Sequence, residues 1–496
     1  MKRAATSCAW FAFLPTLALF AFSLAPGVGT WDTAEMQVTT WILGVPHPFG
    51  FPAFVILGWI FAHLEPFGNP AWRTGLFSAV AMAGACATLA LFLREFAIPR
   101  VAAVFGAYVF AVGEVTWTRG SRTEVQALAV FWIGLALLCA VRWLRTREPR
   151  DAAVAAAAWG FGLATHLVTI FLGPGLLCVA LLGRRALTPR RALAVLAAAV
   201  APVLLYAYVP LRSAYLFAVR RDPTLALGLP PGRPFWDTNH AAGGLASYLD
   251  AAPQQIGGGV AGAFAPDRWA PVAQTYGAAL LHEFGWIGVV AGLLGLAFAF
   301  PERPLLWAAL VAGVTLTIPF ILNFPESDQD RYYLGSFWLF SAAIAIGTYR
   351  VISAAVRRPR AGAAGSGIAL AALALSLGIA NDTILQQRND VSGQAFVDRV
   401  VAVTPPHAIV VSEWTYVTSL AYAAYATHEL GDRIVVSGWP TDYADHYRAW
   451  LASRPVVVHA YAPPLALPPG SGVTSEALDV STNLYELRLS PRVSSR

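Results

Sequence analysis

Residues 8–50 read Cys8-AWFAFLPTLALFAFSLAPGVGT-Trp31-Asp32-Thr33-Ala34-Glu35-MQVTTWILGV-Pro46-His47-Pro48-Phe49-Gly50. An apolar run long enough to cross a bilayer is followed at once by two carboxylates and a histidine. Charged groups at a membrane boundary are costly to desolvate, so those that persist there serve chemistry or transport. Met1-Lys2-Arg3 precedes the run, which exceeds the roughly 7–15 apolar residues of a secretory signal. No A-x-A site follows it, so the run is expected to be an uncleaved anchor with Lys2 and Arg3 in the cytoplasm.

Composition extends this reading to the whole chain. Of 496 residues, 57% are hydrophobic and 12% charged, and mean hydropathy is +0.56. Soluble domains carry about 25% charged residues; this chain is a polytopic membrane protein. Its net charge of +6 lies in short Arg-rich loops between apolar runs, which is a topology signal and not a nucleic-acid surface. Cys8, Cys86, Cys139 and Cys178 all fall in apolar segments, so neither disulfides nor zinc are expected.

Spans of about 17–25 residues can cross a bilayer. They are read at 8–26, 72–93, 100–115, 123–143, 151–167, 168–183, 191–209, 276–299, 305–322, 333–349 and 364–380. Arg142, Arg145, Arg147 and Arg150 precede the 151–183 region, and Arg184, Arg185, Arg190 and Arg191 follow it. Both flanks are therefore cytoplasmic, which requires a re-entering pair. Eleven spans starting inside leave the C-terminus outside. This gives a membrane domain over 1–380, with a first extracytoplasmic loop at 27–70 and a long one at 210–275. The committed polar residues fall on the outer side: Asp32, Glu35, His47, Arg119, Arg122, Glu124, His166, Arg212 and the stretch from Glu326 to Arg331. One-sided clustering suits an enzyme at one face. An alternating-access transporter should hold polar groups near mid-span.

From 381 the pattern becomes a soluble, extracytoplasmic α/β domain. Strands are expected at 408–411, 433–436 and 455–458, and helices at 391–403, 415–430 and 441–453. It has no GxGxxG or P-loop, and an accessory or acceptor-docking role is expected.

Asp32 and Glu35, three apart, share a helix face. Two compatible readings stay open: a capping box, or a carboxylate able to take an acceptor's proton and, with its neighbour, able to hold a divalent cation. His47, in a rigid proline-flanked turn, is either structural or orients an acceptor or phosphate. The outer arginines Arg119, Arg122, Arg212, Arg220, Arg221 and Arg331 suit a lipid phosphate. Alternatively they snorkel or pair with Glu124, Asp222 or Asp330. His166 is either a satisfied interface histidine or a site residue.

The Asp32-x-x-Glu35 pair followed by His47-Pro48-Phe49-Gly50-Phe51-Pro52 resembles the N-terminal signature of a large family of polytopic proteins. That family is related to protein O-mannosyltransferases, within the GT-C superfamily. Phe49 stands where the family usually has a second proline. The resemblance continues at Asn69-Pro70-Ala71-Trp72-Arg73, Val115-Thr116-Trp117, Glu124–Leu128, Gly162–His166, Tyr208–Ser213 and Trp236-Asp237. It covers about the first 240 residues and, more loosely, Asp328–Tyr333. It implies a glycosyltransferase that uses a sugar on polyprenyl or dolichyl phosphate, acts on a protein, lipid or glycan hydroxyl, and inverts the anomeric centre. Asp32 takes the position of the family's essential acidic residue, as base. Arg212 and Arg331 would stabilise the leaving phosphate, and Glu35, His47 and Asp330 would position substrate or a cation. A metal is not required by the resemblance. The alternatives are a flippase of lipid-linked sugars or a non-catalytic envelope scaffold. Lys2 is the only lysine, a compositional bias that favours a bacterial inner membrane.

Overall fold

In the computed structural model every one of the eleven apolar runs is helical. The structure describes residues 2–219, 223–229, 265–322, 328–461, 465, 467 and 471–490. Arg220, Arg221, Asp222, Trp236, Asp237, Glu326 and Ser327 lie outside the described residues. Among the described residues, seven helices or helix runs are long and apolar enough to cross a membrane: Pro70–Glu95, Val125–Thr146, Pro189–Leu216, Trp269–Glu302, Pro304–Leu322, Gln329–Val356 and Pro359–Ala380. Arg100–Ala111 and Glu114–Gly120 form an eighth if their 78° bend is counted within one span. Ser7–Phe22, Pro52–Leu64 and Leu167–Leu182 are shorter apolar helices, and the last of these follows the seventeen-residue helix Pro149–Thr165. Pro149–Thr165 and Leu167–Leu182 are separated at His166, whose extended backbone (φ −155°) breaks the run.

The chain divides into two compact units. The first comprises residues 1–24, 75–206 and 252–388. Its tightest pairing joins Trp269–Glu302 to Leu334–Val356 through small residues. A Cβ at Gly295 would sit 1.9 Å from the Ala343 carbonyl oxygen, and one at Gly347 would sit 2.0 Å from that of Ala291. In lipid, where apolar burial gives helices no preference for each other, such backbone contact is what binds them. The first of these helices kinks at Gly285, which adopts φ +63°.

The second unit comprises residues 25–74, 207–251 and 389–496. Its five-stranded sheet is ordered β2-β1-β3-β5-β4. The expected strands are β1 (Ile409–Ser412), β2 (Ile434–Ser437) and β3 (Val456–His459), all parallel. A hairpin that the sequence reading missed, β4 (Val473–Asp479) and β5 (Leu484–Leu489), adds antiparallel to β3. Alternate strand residues bury on opposite faces, as strand geometry requires. Val410, Val435 and Val457 pack with Val417, Leu420 and Ala421 of the Trp414–Tyr425 helix. Ile409, Val411 and Val458 pack with Tyr443, Tyr447 and Trp450.

Segment 27–70 also belongs to this unit and holds two helices, Trp31–Ile42 and Pro52–Leu64. The second, PAFVILGWIFAHL, is thirteen residues long, too short for a span, and the sequence reading left it within a loop. Ala34 and Val38 of the first are buried in the same core as Val417, Leu420 and Ala421.

Candidate active site

The Trp31–Ile42 helix carries Asp32 in its first turn, where the helix dipole favours a carboxylate. Thr30, not Asp32, is the N-cap, and it makes no side-chain cap bond. At the other end Leu43 turns left-handed (φ 51°), and the Gly44 N–H bonds to the Thr39 carbonyl at 2.7 Å. The chain then reverses through a turn closed by the Gly50 N–H on the His47 carbonyl at 2.8 Å. Gly50 sits there at φ 78°, a conformation open to glycine at little cost.

That reversal returns His47 to Glu35. Glu35 is fully buried. Its Oε1 accepts the His47 backbone N–H at 2.8 Å, and its Oε2 meets His47 Nδ1 at 2.5 Å. Neither sequence reading for Glu35 included this contact, in which His47 engages both of its carboxylate oxygens. Such a contact holds the ring in one orientation and sets which nitrogen carries the proton. Asp32, Glu35 and His47 each present a ligand-type atom, all within 4.8 Å of one another. Two carboxylates and an imidazole have the donor chemistry for a divalent cation, although Glu35 and His47 already engage each other.

A fourth residue joins from the far end of the chain. Trp414 Nε1 donates to Asp32 Oδ1 at 2.9 Å, and the indole meets the His47 ring edge-on with centroids 6.2 Å apart. No sequence signal pointed to Trp414. Arg212 belongs to the same unit, and its guanidinium serves the helix. Nε donates to the Leu43 carbonyl at 2.7 Å and Nη2 to that of Ile42 at 3.1 Å. The Tyr208 hydroxyl donates to the Gly44 carbonyl at 2.8 Å. Both residues tie down the C-terminal end of the Asp32 helix, whose last carbonyls otherwise lack partners.

The remaining candidates gather in the first unit. Arg119, only 3% exposed, donates to Glu124 Oε2 at 3.2 Å, to Asp328 Oδ2 at 2.8 Å and to Asp330 Oδ1 at 2.6 Å. Its second nitrogen also pairs with Asp328 Oδ1. Arg122 reaches Glu124 at 3.4 Å and Asp328 at 3.5 Å, and Arg331 reaches Asp328 at 4.0 Å. Asp328, inside the stretch flagged by sequence but not singled out, holds this group together. Glu124 also N-caps the Val125–Thr146 helix through the Gln126 N–H at 3.3 Å. Arg331 lines a small pocket of about 20 Å³, room for roughly one water, with Gln126, Thr169 and Thr317 among its walls. His166 Nδ1 accepts the Val168 N–H at 3.1 Å, and its ring lies edge-on to Tyr332 at 5.5 Å. It acts there as a cap beside that segment.

Apolar helices followed in sequence by a small sheet give a fold shared with solved membrane-protein structures. The crystal structure of ArnT from Cupriavidus metallidurans in the apo state superposes with a TM-score of 0.59 at 12% identity, covering 98% of each chain. The structure of ArnT bound to undecaprenyl phosphate gives 0.57 at 13% identity, covering 98% of this chain and 97% of that one. More particularly, residues 32–188 match the family described as the protein O-mannosyl-transferase TMEM260 N-terminal domain. The mouse (Mus musculus) protein O-mannosyl-transferase TMEM260 is 28% identical over 221 residues, 42% of this chain and 30% of that protein. The chain thus spans less than a third of the length of this relative. The family resemblance read from Asp32-x-x-Glu35 and His47 holds.

Proposed function

We propose that this chain is a membrane glycosyltransferase that moves a sugar from a polyprenyl-phosphate-type lipid to an acceptor hydroxyl, with Asp32 as general base. The observation that carries the reading is the convergence of Asp32, Glu35 and His47 within 4.8 Å. A carboxylate so placed can take the acceptor's proton as its oxygen bonds to the sugar's C1. The C1–phosphate bond breaks, the electron pair leaves with the lipid phosphate, and the anomeric centre inverts. Guanidinium groups suit the charge developing on that phosphate. Arg212, occupied by helix carbonyls, acts by holding the Asp32 helix.

The names of the relatives suggest mannose as the sugar and a protein hydroxyl as the acceptor. The arginine-rich loops support a cytoplasmic N-terminus, with Asp32 and the C-terminal α/β region on the opposite side, and the single lysine, Lys2, favours a bacterial inner membrane. A flippase would require committed polar groups within spans. Glu283, inside the Trp269–Glu302 helix, is instead spent on backbone N–H groups of Val115 and Thr116 at 2.8 and 3.3 Å.

Purified protein incubated with a panel of radiolabelled polyprenyl-phosphate sugars and hydroxyl acceptors tests the reading. Asp32→Asn should lose about 10²–10⁴-fold in turnover, the contribution of a general base, while still binding the lipid. Wild-type turnover in Asp32→Asn, or no transfer by the wild type from any donor, would refute it.

A further inference from the structure

Trp414 is the first residue of the Trp414–Tyr425 helix and follows β1 by two positions. It therefore sits at the carboxyl edge of the parallel strands, where open α/β sheets present their functional groups. Two features fix where its indole goes. Glu413 caps the helix, Oε2 accepting the Thr415 N–H at 2.7 Å. The helix face bearing Val417, Leu420 and Ala421 is buried in one core with Ala34 and Val38 of the Asp32 helix. The Ser419 hydroxyl adds a bond to the Gly29 carbonyl at 2.7 Å, and the Tyr422 hydroxyl accepts the Ala71 N–H at 3.1 Å. A helix so anchored leaves the indole N–H little freedom except toward Asp32 Oδ1, 2.9 Å away.

We infer that Trp414 is a positioning residue for Asp32: its indole N–H fixes the rotation of that carboxylate and keeps it ionised for proton abstraction. A hydrogen bond to the charged form of an acid favours that form, and bonds to charged groups are the stronger class. A base must be both deprotonated and correctly aimed, and Trp414 contributes to each. The C-terminal α/β region thereby becomes part of the catalytic apparatus and not merely an appendage. This rests on the reading of Asp32 as the base.

Trp414→Phe keeps an aromatic side chain, smaller than the indole, and removes the N–H donor. It is compared with wild type, as the full chain, in transfer from polyprenyl-phosphate mannose across a pH series. The expected result is about a tenfold fall in kcat, the scale of one hydrogen bond to a charged group. KM for the lipid should stay unchanged, and the acid limb of the pH profile should move up by about one unit. An unshifted acid limb, whether or not kcat falls, would overturn the inference. If the wild type transfers no sugar, the glycosyltransferase reading fails by itself, and a second measurement still decides on Trp414. Carbodiimide labelling of Asp32 against pH, read by mass spectrometry, should shift to higher pH in Trp414→Phe; coincident curves would overturn the assignment.

Discussion

The Asp32 group and the Arg119 group both take charges out of water, and they are balanced differently. Around Arg119, three guanidinium groups (Arg119, Arg122, Arg331) face three carboxylates (Glu124, Asp328, Asp330). Around Asp32, two carboxylates face one imidazole. A self-neutralised group works as a clasp: it joins the Glu114–Gly120 helix, the cap of Val125–Thr146 and the segment leading into Leu334–Val356. A group with surplus negative charge has capacity left for a proton. A phosphate entering the arginine group must first compete with Asp328 and Asp330, whose side chains are 45% and 47% exposed.

The comparison breaks most sharply at Arg119. Arg119→Met leaves a buried Glu124 and two aspartates without their common partner, and should cost about 3–5 kcal/mol, the range for breaking a buried pair. Thermal unfolding of detergent-solubilised protein measures it; a loss below about 1 kcal/mol would show that the clasp bears no load. Next comes acidification, which separates the regions through His459. This buried imidazole lies between Phe396 and Tyr416, with Ser412 Oγ at 3.2 Å and Glu413 Oε1 at 4.0 Å. Burial pushes its pKa from 6.5 down to about 4. The unfolded chain takes that proton near 6.5 and the folded chain only near 4. The stability is therefore complete above pH 6.5 and is lost as pH falls toward 4, by up to about 3 kcal/mol. Hydrogen exchange should report loosening of β1–β3 across that window, and His459→Gln should flatten it. Third, Glu35→Gln should lower turnover about 10–100-fold, the scale of one hydrogen bond to a charged group, with little change in lipid binding. A Glu35→Gln enzyme at wild-type rate would make the Glu35–His47 contact purely structural.

What the sequence disclosed follows from how each signal is encoded. The helical runs and β1–β3 were readable because each is local: a long apolar stretch, or a burst of β-branched residues such as Ile434-Val435-Val436. Asp32, Glu35 and His47 were readable because one helix and one turn, all within sixteen residues, bring them together. Trp414 was not, because 382 residues separate it from Asp32 and only tertiary packing joins them. Arg212 reads as a phosphate ligand or a snorkelling side chain from its type alone. Its attachment to the Ile42 and Leu43 carbonyls exists only once the Tyr208–Ala218 helix has docked. The β4–β5 hairpin was hidden because most of β4 is exposed, leaving a weak apolar pattern.

The smallest expected effect refines the clasp most. Arg122 lies beside Arg119 in the same group, yet its side chain is 30% exposed and its contacts are 3.4 and 3.5 Å. Partly solvated, long ion pairs contribute about 0–1 kcal/mol, so Arg122→Met should scarcely change the thermal midpoint. Arg122 Nε is nonetheless buried without a hydrogen-bond partner among the described residues. A buried donor with no partner is costly to maintain, and an anion reaching this group would satisfy it. Arg122→Met should therefore raise KM for a polyprenyl-phosphate donor several-fold while leaving stability almost intact. An unchanged KM would confine the arginine group to holding helices together. Equal stability losses for Arg119→Met and Arg122→Met would mean that the six charges act as one indivisible unit, so that no member could be given up to a ligand.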